Sequence, residues 1–237
     1  MLSRQELQRY SNQLLQIQEA SLSDLDRILR RAQTMPANEA ITFLQRMISS
    51  IVDGRGLVCA EAAARFYEQS RRAAIGGSYR SSLATSLPRE QIAQNLHWAT
   101  LPLADGEFAR ARSRLQRTVG RMVVTRAHNT IGQNVRRDHS LYARVPMGDN
   151  PCSFCVMQAS RGFVFYTPDF DKWHDNCMCR SVPQWGDNPQ IEGYDPEAYY
   201  DEYKKAYDAT PSRKAGEKQE DYTKRLMATM RQQTGRR

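Results

Sequence analysis

Between residues 150 and 180 the chain gathers four of its five cysteines and one of its four histidines, as Cys152-Ser153-Phe154-Cys155 and then His174-Asp175-Asn176-Cys177-Met178-Cys179. A segment this short cannot bury a core of its own, so whatever links those side chains decides how it folds. Two cysteines separated by two residues reach one ion from a single turn, and a tetrahedral zinc site needs four such donors. Cys152 and Cys155 supply two. After 18 intervening residues, His174, Cys177 and Cys179 offer three more, one beyond what a tetrahedral ion takes. The spacing leaves open which is spare. His174 and Cys179 are favoured because one sits on each side of the bend, and the third would then be a buried thiol or an outer hydrogen-bonding group.

Disulfides are the competing reading. With five cysteines one stays unpaired, and Met1-Leu2-Ser3-Arg4-Gln5-Glu6 leads into charged helix without an apolar export segment. The expectation is therefore a reducing compartment and one structural zinc ion. Thiolate-rich sites are closed, whereas a catalytic zinc keeps a position open for water, so the ion is expected to staple the fold. Around the site, residues 162–168 are rich in aromatic and branched side chains and predict a short strand ended by Pro168. Residues 179–185, which include Pro183, predict its partner in a small antiparallel sheet.

Upstream the apolar pattern is helical. Leu7, Tyr10, Leu14 and Ile17, then Leu22, Leu25, Ile28 and Leu29, predict one kinked helix or a helix pair. After Pro36, the series Ile41, Phe43, Leu44, Met47, Ile48 and Ile51 predicts a helix ended by Asp53-Gly54-Arg55-Gly56. Cys59, Ala63, Phe66 and Tyr67 begin the next, with Cys59 a small core residue. From Asp105 a long helix is expected, with Leu115, Val119 and Met122 on one stripe and Arg110, Arg114, Arg117 and Arg121 on the opposite one. The stripe loses phase at Ile131 and Val135, which predicts a kink near Gly120 or Gly132. The arginine row is the candidate phosphate-tracking surface, able to follow successive backbone phosphates without reading bases. The competing readings are a solvated face or one docked on an acidic protein.

Beyond the cysteine segment, turn-rich sequence precedes a helix with Tyr199, Tyr203 and Tyr207 at four-residue spacing, a packing or partner-docking stripe. Residues 210–218 read as a flexible linker, and residues 221–230 as a segment that becomes helical against a partner. The net charge of +8 fits contact with a polyanion. A mean hydropathy of −0.70, with no apolar run near the ~20 residues that span a bilayer, argues against a membrane protein.

The run Arg144-Val145-Pro146-Met147-Gly148, the Cys152/Cys155 pair, Met157-Gln158-Ala159-Ser160-Arg161-Gly162, the His174-x-x-Cys177-x-Cys179-Arg180 group and Val182-Pro183 resembles the phage Mu protein F-like minor head proteins, most closely the versions carried by actinobacterial phages. The match covers about forty residues, with a looser likeness at residues 60–71. Asp175 stands where many relatives place a proline. The resemblance implies a virion component associated with the portal, head assembly and DNA packaging or delivery. Its implied partners are the portal protein, the major capsid protein and packaged double-stranded DNA, with no membrane or small-molecule substrate.

The expected fold is mainly α: a helical region over residues 1–104, a basic connecting helix over 105–141, a zinc-stabilised α+β module over 142–190 and a partly flexible helical tail over 191–237. No His-Glu-x-x-His pair, Gly-x-Ser-x-Gly elbow, phosphate loop or dinucleotide fingerprint occurs. The expectation is a structural protein rather than an enzyme. The alternatives are a zinc-stabilised nucleic-acid-binding protein, a head maturation protease and a zinc-containing nuclease. The nuclease reading suffers because no histidine follows Cys179, and His128 and His139 are assigned surface or packing roles.

Overall fold

The computed structural model describes residues 2–148, 150–166, 175, 177–186 and 190–236. Among them the chain is mainly helical with one two-stranded sheet, as the apolar periodicity predicted. Helix α1 (Arg4–Ala32) starts at a capping box: Glu6 donates its backbone N–H to Ser3 Oγ at 3.2 Å, and Ser3 donates its own to Glu6 Oε2 at 3.1 Å. Where the sequence suggested a kinked or divided element, α1 is one helix. Helix α2 (Ala37–Ile75) also runs unbroken, through the Gly54 and Gly56 that were expected to end it. Gly56 is buried, and a Cβ there would lie 3.4 Å from Arg126 Cδ. Its bareness lets a neighbouring helix approach closely, so it acts as a packing residue rather than a stop.

That neighbour is α4 (Phe108–Arg137), reached through α3 (Arg89–Thr100) and a single 3-10 turn, Leu101–Leu103. Helices α1, α2, α3 and α4 share one apolar core through Leu14, Leu44, Leu96, Leu115 and Ile131. Helix α4 is uninterrupted through Gly120 and Gly132, where the sequence suggested a kink, so neither glycine ends it. Its stripe loses phase because its second half is buried on several sides: Ala127, His128, Thr130, Ile131, Asn134 and Val135 are all covered. Once a helix passes into the centre of a fold, its sequence no longer needs one apolar face.

Strand β1 (Leu141–Pro146) follows α4, and β2 (Cys179–Gln184) pairs with it antiparallel in the register Ala143 to Val182 and Pro146 to Cys179. The small sheet was expected, but the partner of β2 is β1 and not residues 162–168. Of that run, Phe165 makes a single antiparallel bridge to Tyr142, its N–H donating to Tyr142 O at 3.2 Å and its carbonyl accepting from Tyr142 N at 2.8 Å; residues 167 and 168 lie outside the described residues.

The short α5 (Ser153–Ala159) lies between the strands in sequence, and α6 (Pro196–Ala209) and α7 (Gln219–Thr234) follow. These three helices share a second apolar cluster of Val156, Met157, Ala206, Leu226, Met227 and Met230, against which Tyr199 and Tyr203 pack. The C-terminal helix thus finds its apolar surface within its own chain. Residues 210–218 join α6 to α7, and Arg225 reaches back over them to Glu217 at 2.8 Å.

Candidate metal centre

The site lies where β2 begins. Pairing with Pro146 fixes Cys179 at the first position of β2, and Cys177 stands two residues before it. Six residues beyond β1, Cys152 caps α5: the Cys155 N–H donates to Cys152 Sγ at 3.3 Å, and this turn places both sulfurs on one side. Cys152 Sγ lies 3.2 Å from Cys155 Sγ, and Cys155 Sγ lies 3.6 Å from Cys177 Sγ. The sulfurs of Cys155, Cys177 and Cys179 all lie within 4.8 Å of one another. All five cysteines of the chain are thiols. The structure therefore brings together Cys152, Cys155, Cys177 and Cys179, while His174 lies outside the described residues.

A tetrahedral ion with metal–sulfur bonds of about 2.3 Å needs its sulfurs about 3.8 Å apart. Cys155, Cys177 and Cys179 are mutually close enough to hold one ion, and Cys152, in contact with Cys155, stands beside that group as a further thiol donor. Cys155 sits in the middle of the group. Its hydrogen bonds with Cys152, Cys177 and Cys179, together with burial, push its thiol far above the usual range. For Cys179 the contact with Cys155 works downward, but the contact with Cys177 and burial outweigh it and the thiol is again raised. Thiols raised in this way would release protons on taking up a metal.

The surroundings of the cluster were not legible as a site. Arg144 and Arg180, on the two paired strands, are each 1% exposed. The Arg144 guanidinium lies 5.7 Å from the centroid of the Phe154 ring. His128 on α4 is buried with Nδ1 3.2 Å from Ser181 Oγ. Burial, then the charge of Arg180, hold its pKa well below the usual value against the pull of Cys177, so the ring is neutral at pH 7. The available signal was that Arg144 and Arg180 are the lone charges within residues 141–147 and 179–184.

The arginine row divides. Arg110 is exposed and paired with Glu107 at 2.8 Å, and Arg117 is exposed with Nε donating to Ser113 O at 3.2 Å. Arg114 donates to Trp98 O at 3.1 Å and lies 4.4 Å from the centroid of that ring. Arg121 turns toward the thiol segment, donating from Nε to Asp175 Oδ1 at 2.9 Å and from Nη2 to Asn95 Oδ1 at 3.0 Å. Opposite them, Leu115, Val119 and Met122 are buried, as the stripe predicted.

A family model described as VG15 protein matches residues 1–206. The chain belongs to the VG15 protein family. Its members are phage gene products, which makes this a phage protein. No curated protein and no solved structure matches it. The part of this VG15 protein covered by the match takes in the helical body, both cysteine runs and most of α6, and stops short of α7. No helix among the described residues is long and apolar enough to cross a membrane.

Proposed function

We propose that this VG15 protein is a structural minor head component of a tailed phage or prophage, acting at the portal or capsid interior in head assembly, DNA packaging or DNA delivery. One zinc ion held by Cys152, Cys155, Cys177 and Cys179 would clip its C-terminal module shut. The observation that carries this reading is the meeting of Cys155, Cys177 and Cys179 from two sequence runs at the start of β2, with Cys152 in contact with Cys155. An all-thiol donor set closes the coordination sphere of zinc and contributes folding free energy instead of activating water. Membership of a phage family and the resemblance to Mu protein F-like proteins supply the virion context.

In this reading the module is a rigid docking element for portal or major capsid protein, and the protein performs no catalysis. Arg110, Arg114 and Arg117 supply an outward basic stripe toward packaged DNA, with Arg121 continuing the row toward the module. Mass spectrometry of purified particles, beside elemental analysis of the isolated chain, tests the proposal. The expected result is the chain in assembled heads and about one zinc per chain. Its absence from particles removes the head role; absence of metal removes the clip.

A zinc-stabilised nucleic-acid-binding protein is the second reading, favoured by the exposure of Arg110 and Arg117. It predicts salt-sensitive retention of double-stranded DNA that falls when Arg110, Arg114 and Arg117 are replaced together by glutamine. A scaffold between proteins alone shows no such retention.

A further inference from the structure

Trp98, near the end of α3, is 46% exposed, and Leu101 beside it in sequence is exposed to the same extent. Arg114 of α4 holds the tryptophan in place, donating from Nη1 to Trp98 O at 3.1 Å with its guanidinium 4.4 Å from the ring centroid. Contact with phosphates needs neither an exposed indole nor an exposed leucine, whereas a tryptophan braced by an arginine is the composition of an anchor in a protein interface. The charge around the anchor is uniform. Helix α4 carries eight arginines and no Asp or Glu. Arg110, Arg112 and Arg121 have carboxylate partners, while among the described residues Arg114 and Arg117, one turn apart, bond to the carbonyls of Trp98 and Ser113 and to no acid.

A surface of opposite charge and similar build lies on α6, which has four carboxylates against two lysines. Glu202 is held by Arg236 at 2.6 Å and Asp208 by Lys204 at 2.7 Å. That leaves Glu197 and Asp201, exposed, one turn apart and without a cationic partner among the described residues. Beside them Tyr200 is 49% exposed, its ring 6.4 Å from that of Tyr203, which packs on the second apolar cluster and backs it. Each face therefore offers one braced aromatic ring and two like charges a helical turn apart, about 5–6 Å between Cβ atoms, with the signs opposite.

We propose that this protein associates with a second copy of itself head to tail, the Trp98, Arg114 and Arg117 face of one chain meeting the Tyr200, Glu197 and Asp201 face of the next. The contact is independent of the metal and goes beyond the head reading, giving the basic stripe a protein partner as well as a polyanion. Because two different surfaces meet, every added copy leaves one of each free, so association continues into a ring or an open chain instead of stopping at a dimer. Helix α6 has 14 residues and spans about 21 Å, so the contact is at the small end for specific interfaces, and its affinity is expected to be roughly micromolar.

Sedimentation velocity of the full chain, from about 1 to 100 μM, tests this at about 50 mM and 500 mM salt. The average mass is expected to rise with concentration at low salt and to fall at high salt. Trp98→Ala is expected to weaken association about tenfold or more, with an unchanged circular dichroism spectrum because the side chain lies outside the core. Two charge-reversed proteins give the sharper result: Arg114→Glu with Arg117→Glu, and Glu197→Arg with Asp201→Arg. Each alone sets like charges against each other and is expected to be monomeric. Mixed in equal amounts they are expected to associate again, since the acidic α6 of the first meets the basic α4 of the second and the reversed faces meet one another. Restoration in the mixture also shows that both variants are folded. A chain that stays monomeric at every concentration overturns the proposal, as does association that either reversal leaves unchanged or that the mixture fails to restore.

Discussion

Arg121 and Asp175 join the long helix to the thiol segment: Arg121 Nε donates to Asp175 Oδ1 at 2.9 Å, two residues before Cys177. Both side chains are partly covered, and Asn95 takes a second bond from the same guanidinium. The pair fixes where Cys177 stands relative to α4. A charge-assisted, partly buried contact of this kind contributes about 1–2 kcal/mol. Arg121→Gln is therefore expected to speed zinc loss to a chelator about tenfold, read as a dissociation rate. An unchanged rate would show that the sheet alone positions Cys177.

The ligand set gives a sharper test. With Cys155, Cys177 and Cys179 already grouped and Cys152 against Cys155, His174→Ala is expected to retain about one zinc per chain, while Cys155→Ser and Cys177→Ser lose it and unfold at lower temperature. Elemental analysis of the three purified variants decides this. Loss of metal from the histidine variant with retention in Cys177→Ser would reverse the assignment of the fourth ligand.

Asp138 closes the body at the end of α4. It accepts from Trp185 Nε1 at 2.7 Å, Arg71 Nε at 2.9 Å and the Tyr67 hydroxyl at 3.0 Å, joining α2, α4 and the residue after β2. Burial opposes its charge, but those donors outweigh burial and hold its pKa below the usual 3.8. A depressed carboxylate contributes stability that is complete above the unfolded value and lost as pH falls through the folded one. Asp138→Asn is thus expected to cost about 1–3 kcal/mol in urea unfolding at pH 7. The gap from wild type should narrow as pH drops below about 4. A gap that stays constant to pH 3 would mean that geometry, not charge, makes the contribution.

Where one face of a helix is apolar, the sequence was readable: the spacing of Leu115, Val119 and Met122 announced the buried side of α4. The Cys152/Cys155 pair was equally legible, since a two-residue spacing has few geometric outcomes. Other features depend on partners distant in the chain. Gly56 resembles a helix terminator locally and becomes a contact point because Arg126 lies across from it. Residues 162–168 have the stronger strand composition, yet β1 won the place beside β2, with Arg144 in its middle. A buried arginine defeats any alternation rule, and the thiol cluster that gives it a setting forms only in three dimensions.

Helix α7 offers a prediction about cohesion. Met230 is fully buried among Leu226, Val156, Met157 and Ala206, so its side chain ties the C-terminus to the helix that carries Cys155. Met230→Ala is expected to destabilise by about 2–5 kcal/mol in denaturant unfolding. Residues 221–230, read from sequence as awaiting a partner, would on this account be protected from amide exchange in the isolated chain. Rapid exchange there, with an unchanged unfolding midpoint in the variant, would show that α7 does not stay docked.

Three glycine variants test whether α2 is truly one helix packed against α4. Nothing lies within 4 Å of a Cβ built on exposed Gly54, so Gly54→Ala gains helix propensity without a clash and should stabilise by about 0.5–1 kcal/mol. At Gly56 the same Cβ meets Arg126 Cδ at 3.4 Å, Arg126 Cβ at 3.7 Å and Val123 O at 3.8 Å. Gly56→Ala therefore sets the propensity gain against a small displacement of Arg126 and should be near neutral. Gly56→Leu drives a branched side chain into the α2/α4 seam and should cost about 1–3 kcal/mol. The ordering Gly54→Ala above wild type, Gly56→Ala close to it and Gly56→Leu below it is the signature of a continuous helix with one close approach. If Gly54→Ala destabilised instead, residues 53–56 would have to leave the helix, as a terminator would require.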